Sequence, residues 1–214
     1  MEAVPADAAR VELGRQGEGV GLPGMGAVEG GEGNDTIDWK DAAKVGSILG
    51  GTGSDTATVS SSAYNGTQLL DGGDDVGVVD GFIDTLNLNG VTVAAHGGNI
   101  KNWEAIHLNN GTNLTLTSDL ETGKGLYMGN PMGLAIDSTS TLTAGVPTLT
   151  VTGDVRNAGV IDLHTKQTNP GTALTIAGNY TGTTGSQLLV DTHWNNPNVS
   201  QTDVLHITGS ASGS

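Results

Sequence analysis

Gly30-Gly-Glu-Gly-Asn-Asp-Thr-Ile-Asp38 returns as Gly50-Gly-Thr-Gly-Ser-Asp-Thr-Ala-Thr58, a displacement of 20 residues. Leu70-Asp-Gly-Gly-Asp-Asp75 places Asp75 a further 20 residues on. Twenty residues is about one turn of a β-solenoid, whose repeats each offer a strand and a sharp corner. The Asp-Thr-x-x-apolar core returns once more as Asp84-Thr-Leu-Asn-Leu88, nine residues after Asp75, so the run closes with irregular spacing.

Outward from these repeats the chain is written in triplets of apolar, any, apolar. Examples are Leu86/Leu88, Val91/Val93, Ile106/Leu108, Leu114/Leu116, Leu134/Ile136, Leu149/Val151, Ile161/Leu163, Leu174/Ile176, Leu188/Val190 and Leu205/Ile207. Alternation with a period of two over so few residues predicts short strands with one buried face, and no helical stretch separates them as a βαβ crossover requires. A sandwich of this size wants longer strands and aromatic anchors between its sheets. A parallel β-helix instead stacks like on like, filling a thin core with Leu, Ile, Val, Thr and Ala and turning at Gly, Asn and Asp. The sequence therefore predicts an all-β parallel β-helix, a solenoid of about nine turns over residues 30–214.

Composition agrees. Of 214 residues 35 are Gly, about 16% against a usual share of roughly 7%, and only seven are aromatic. There is no Cys, which excludes disulfide frameworks and thiolate metal sites. Eight Lys and Arg against 23 Asp and Glu leave a net charge of −15, which repels phosphate backbones and anionic lipid, so no nucleic acid is expected as a partner. Residues 1–29 lack strand-like alternation and are read as a disordered or displaced lead. Their Gly17-Glu-Gly-Val-Gly21 has no strand before it or helix after it, as a dinucleotide-binding turn would need. They also lack the basic start and apolar run of a signal peptide.

The glycine-rich repeats match a Gly-Gly-x-Gly-x-Asp-x-apolar-x pattern, in which glycines aim turn carbonyls inward and the Asp supplies a carboxylate. Calcium is the cation that suits such ligands, with Asp35, Asp55 and Asp75 as the candidate carboxylates, and the pattern resembles the calcium-binding repeats of secreted toxins and proteases. A second reading makes the same residues corners of a metal-free solenoid, each Asp capping backbone N–H groups of its own turn. The acidic cluster Asp71, Asp74, Asp75, Asp80 and Asp84 is read as a solvated face, or else as the paired carboxylates of a polysaccharide-active β-helix enzyme. His107 and His206 each lie between two apolar residues and are expected to point outward. Trp103 and Trp194 are expected to cover the end or flank of a turn, with a sugar platform as the other reading.

The last 65 residues read Leu149-Thr-Val-Thr-Gly-Asp-Val-Arg-Asn-Ala-Gly-Val-Ile-Asp-Leu163, Leu174-Thr-Ile-Ala-Gly-Asn-Tyr-Thr-Gly182, Gly185-Ser-Gln-Leu-Leu-Val190 and Ser200-Gln-Thr-Asp-Val-Leu-His-Ile-Thr-Gly209. In order and spacing this resembles the autochaperone end of an autotransporter passenger, a family of bacterial type V secretion proteins. The resemblance implies a right-handed parallel β-helix exported through the outer-membrane barrel of its own full-length protein. It implies a cell-surface or extracellular location, host or bacterial surface ligands as partners, and a non-enzymatic role in adhesion. On this reading 30–149 are passenger repeats and 150–214 the folding end, where Tyr180, Leu188, Val190, Leu205 and Ile207 pack a stable edge and Asp203 with Thr202 holds the last turn. The chain carries neither the barrel nor the leader of that family, which reads as a passenger fragment.

Overall fold

The computed structural model describes residues 10–13, 25–40, 42–164, 170–194 and 200–213. The protein is all-β, built mainly from parallel sheets. The longest has nine strands: Arg10–Leu13, Thr36–Trp39, Thr56–Val59, Thr85–Asn89, Ala105–Asn109, Gly133–Ile136, Val155–Asn157, Tyr180–Gly182 and Ala211–Gly213. They lie in that order and every pairing is parallel. A second sheet holds Thr92–Ala95, Asn113–Leu116, Thr141–Ala144, Val160–Asp162 and Gln187–Leu189. A third holds Leu120–Glu121, Thr148–Thr152, Ala173–Ile176 and Val204–Ile207, and a fourth Met25–Glu32, Val45–Thr52, Leu69–Asp71 and Ile100–Lys101.

The order of visits is regular. Upstream of Thr85 the chain shuttles between the long sheet and the fourth; from Ala105 it passes through the long, second and third sheets in rotation. Each strand thus pairs with its counterpart one circuit on, and like side chains stack. In the long sheet Ile37, Ala57, Leu86, Ile106, Leu134 and Val155 share one register position. Val93, Leu114, Leu142 and Ile161 do so in the second sheet, and Leu149 with Leu174 in the third. All are buried, and burying each Val, Leu or Ile among them contributes roughly 1.5–3 kcal/mol.

The sheets extend further upstream than the sequence suggests. Met25–Glu32 pairs in register with Val45–Thr52, and Arg10–Leu13 with Thr36–Trp39, so part of the lead assigned to 1–29 is strand. The reason is compositional: Met25-Gly-Ala-Val-Glu-Gly-Gly-Glu32 has too few bulky residues to display alternation, yet its backbone completes a ladder. Gly17–Gly21 lie outside the described residues. The sheet also runs unbroken past residue 150, since Gly133–Ile136 pairs with Val155–Asn157. At the far end, Leu188 and Val190 are exposed and Leu205 and Ile207 half-buried: Leu188, Leu205 and Ile207 lie on the outermost strands of their sheets, and Val190 follows just past one of them.

Two antiparallel hairpins depart from the rotation. One is Leu126–Tyr127 with Asn130–Pro131; the other is Thr192–Trp194 with Ser200–Thr202. No helix among the described residues is long and apolar enough to cross a membrane.

Candidate functional site

The corners after the first three strands of the fourth sheet carry glycines followed by Asp35, Asp55 and Asp84, the corner after the fourth carries Asn102 and Glu104, and these acidic residues stack into a ladder. The Asp35 amide donates to Asp55 Oδ1 at 2.7 Å, the Asp55 amide to Asp84 Oδ1 at 2.7 Å, and the Asp84 amide to Glu104 Oε2 at 2.6 Å. These steps span 20, 29 and 20 residues. All four side chains are buried. The second oxygens of Asp55, Asp84 and Glu104 are buried with no hydrogen-bond partner.

Glycine makes room for those oxygens. A Cβ on Gly50 would lie 2.6 Å from Asp55 Oδ2 and 2.0 Å from the Gly72 carbonyl oxygen; on Gly72 it would lie 2.8 Å from Asp84 Oδ2 and 1.8 Å from the Asn102 carbonyl oxygen. In the next layer Asn102 stands where glycine stood, with φ 59°, a region that Asn tolerates. Its Nδ2 donates back to Asp71 Oδ1 at 2.8 Å and to the Gly73 carbonyl at 3.1 Å.

Burial sets the protonation of the ladder. It pushes the Glu104 carboxyl up to about 8 and Asp84 up to about 7, and it raises Asp55 as well. The amide bond each accepts pulls the other way, and the neighbouring carboxylates add to the rise.

Of the trio Asp35, Asp55 and Asp75, the structure brings only the first two together. Asp75 sits in the exposed segment between Gly73 and Ile83, where its Oδ1 accepts the Gly77 amide; Asp84 takes the third rung. A calcium ion needs 6–8 oxygens converging at 2.3–2.6 Å. Here the rungs repeat along the stack at roughly 4.8 Å, and each carboxylate already spends one oxygen on an amide. Among the described residues no three His, Asp or Glu side chains are grouped to hold a metal. The ladder does not fit calcium, so calcium or a chelator is expected to leave the thermal midpoint unchanged; a rise of several degrees in millimolar calcium would contradict this.

The acidic cluster divides. Asp84 is buried, Asp71 pairs with Lys101 at 2.9 Å, and Asp74 shares a hydrogen bond with Asp80. Carboxyls in direct hydrogen bond are closer than the roughly 5–9.5 Å that glycoside hydrolysis uses. Trp103 is fully buried, its indole donating to the Leu70 carbonyl at 3.0 Å, so it offers no sugar platform; the side chain of Trp194 lies outside the described residues. His206 is exposed.

A different feature, which the sequence does not announce, lies on the outer face of the long sheet. The hairpin from Leu126 to Pro131 arches over this face, anchored by the Tyr127 hydroxyl, which donates to the Gly81 carbonyl at 3.0 Å. Beneath it runs a groove of about 620 Å³, floored by outward residues including His107, Ala135 and Arg156 and roofed by Tyr127, Met128 and Pro131. Ala105, Gly133 and Ala135 supply its depth, because neighbouring outward positions carry Thr, Asn and His. Burial, and then the nearby Arg156 guanidinium, hold the His107 imidazole below its ordinary range, so it is neutral at pH 7.

At the far end Asp203 acts as a clamp. Its Oδ1 accepts the Gly171 and Thr172 amides and its Oδ2 the Asp191 amide, all at 2.8 Å. Burial pulls its carboxyl upward, but the three amide bonds together outweigh burial and hold it below the usual range. No family model matches the chain, and no curated protein or solved structure matches it.

Proposed function

We propose that the chain is a right-handed parallel β-helix of about nine turns, one per strand of the long sheet, and a non-enzymatic passenger of the autotransporter type. It works at the bacterial cell surface in adhesion, exported through the outer-membrane barrel of its full-length protein. The observation that carries this reading is the rotation through parallel sheets, each layer stacked on its counterpart one circuit on. Strand-crossover-strand connections within a parallel sheet are right-handed in nearly all proteins. Such a stack exposes long rows of side chains, here rich in Thr and Asn, for repeated weak contacts with surface ligands. Residues 150–214 promote folding: the Asp203 clamp fixes the last described circuit, onto whose strand edges upstream layers add.

Protease added to intact cells that produce the chain in its native gene is expected to cleave it from their outer face. The same gene lacking residues 150–214 is expected to yield only degraded passenger. A chain cut only after lysis would overturn the surface location, and a stable, protease-resistant 1–149 would overturn the folding role.

A further inference from the structure

The protein carries a net charge of −15, with only eight Lys and Arg. Two of the described lysines pair with a carboxylate: Lys40 binds Asp38 and Lys101 binds Asp71. Arg156 does not. It is exposed on the outer face of the long sheet and makes no ion pair or hydrogen bond with its side chain among the described residues. Instead it lines the groove beneath the hairpin, and it also lines a second hollow of about 560 Å³ on the hairpin's other side, with Leu126, Pro131 and Met132. The hairpin therefore straddles a guanidinium that makes no ion pair among the described residues.

The rest of the groove completes a recognisable chemistry. Tyr127, Met128, Pro131 and Met132 give it apolar walls, with Asn109 and Asn130 among the polar groups at the sides. Asp137, also on its wall, is committed elsewhere: its carboxylate accepts the Asn110 amide at 2.7 Å, the Thr139 amide at 2.9 Å and the Thr139 hydroxyl at 2.8 Å. His107 lies two strands from Arg156, at the register position of Ala135 between them, about 9.6 Å away at ~4.8 Å per strand. Being neutral, it offers a hydrogen bond without a second charge. Apolar walls with a few converging polar groups, in a cleft of several hundred cubic ångströms, are the usual make-up of a small-molecule site.

We propose that this groove binds a small cyclic carboxylate: one six-membered ring whose face packs on Tyr127, Met128 and Met132 and whose single carboxylate pairs with Arg156. The field of a strongly acidic protein repels anions at long range. An anion held here must therefore owe its binding to a local, planar contact, which the guanidinium fork supplies to a carboxylate in two parallel N–H to oxygen bonds. Two sources share this chemistry, a sugar acid and an aromatic acid. The side carboxamides suit the first, and the sulfur and ring surfaces either.

The test is titration calorimetry on the full chain with glucuronate and benzoate, each against its uncharged counterpart, glucose and benzyl alcohol. Millimolar binding of at least one carboxylate, ten-fold or more above its neutral counterpart, is the expected result, and the carboxylate that binds identifies the source. Arg156→Gln should reduce that affinity at least ten-fold. Because Arg156 is exposed, this variant should keep the wild-type melting curve; Ala135→Leu, which fills the floor, should lose binding of charged and neutral rings alike. Neutral rings binding as well as carboxylates, wild-type affinity in Arg156→Gln, or no binding of either carboxylate at about 50 mM would overturn the proposal.

Discussion

Acidifying the solution from about pH 8 to about pH 5 is expected to raise the thermal midpoint of this protein, the reverse of ordinary acid destabilisation. Asp84 is raised to about 7 and Glu104 to about 8, against ordinary values near 4 in an unfolded chain. For a carboxyl raised in the folded state, the folded chain binds more protons than the unfolded one between the two values. Stability is then fully present below the unfolded value and lost as pH rises through the folded one. The window is thus about pH 4 to 8. Asp137, Asp154 and Asp203 work oppositely: amide and side-chain hydrogen bonds, outweighing burial, hold them below the ordinary range, and their contribution is lost only as pH falls below about 4. The two groups together predict a maximum near pH 5.

The size of the effect follows from the same residues. A shift of one unit corresponds to about 1.4 kcal/mol, but adjacent rungs titrate as a unit and their protons are shared, so the loss at pH 8 is on the order of 3 kcal/mol. For a chain of this length that is roughly 6–12 °C. Asp84→Asn with Glu104→Gln keeps an oxygen for each incoming amide and removes the charge. The double variant should melt higher than wild type at pH 8 and show a nearly flat profile between pH 5 and 8. A wild-type profile that rises toward pH 8 would refute the buried ladder.

The ladder also shows what the sequence makes legible. Asp35-Thr36 and Asp55-Thr56 stand 20 residues apart, and extending that step lands on Asp75, which is followed by Val76 rather than Thr. The third rung is Asp84-Thr85, because the segment between Gly73 and Ile83 inserts nine residues into an otherwise regular circuit. The dipeptide, rather than the spacing, was the better guide: Thr85 continues the register column of Thr36 and Thr56. The fourth rung is Glu104-Ala105, in which both letters change, so no pattern in the chain marks it. Period-two apolar pairs located most of the core because alternation has a single physical meaning in a short strand. The groove had no such signal. It arises from small residues, Ala105, Gly133 and Ala135, at outward positions of three strands and from a hairpin whose register depends on long-range contact.

Gly72→Ala should be among the most damaging single methyl groups that can be added to this protein. The new carbon would sit 1.8 Å from the Asn102 carbonyl oxygen, 2.8 Å from Asp84 Oδ2 and 2.9 Å from the Asn102 carbonyl carbon. Two of these are backbone atoms of the adjacent layer, so no side-chain rotation relieves the clash. Moving the layers apart would break the bond from the Gly72 amide to the Lys101 carbonyl at 3.0 Å, and moving Asp84 would strip the Asp55 amide of its acceptor at 2.7 Å. Each buried donor so orphaned costs about 1–3 kcal/mol in addition to strain. A loss above about 4 kcal/mol is expected in urea unfolding, against a change within about 0.5 kcal/mol for Gly26→Ala, whose Cβ would meet nothing within 4 Å. The damage should also reach the groove, because Asp84 adjoins Ile83, whose amide donates to Ser54 Oγ at 2.9 Å, and both residues line that groove. A Gly72→Ala protein as stable as wild type would mean that adjacent layers can part at this corner, and the close stacking that confines the carboxylates, and so raises Asp84 and Glu104, would then not hold.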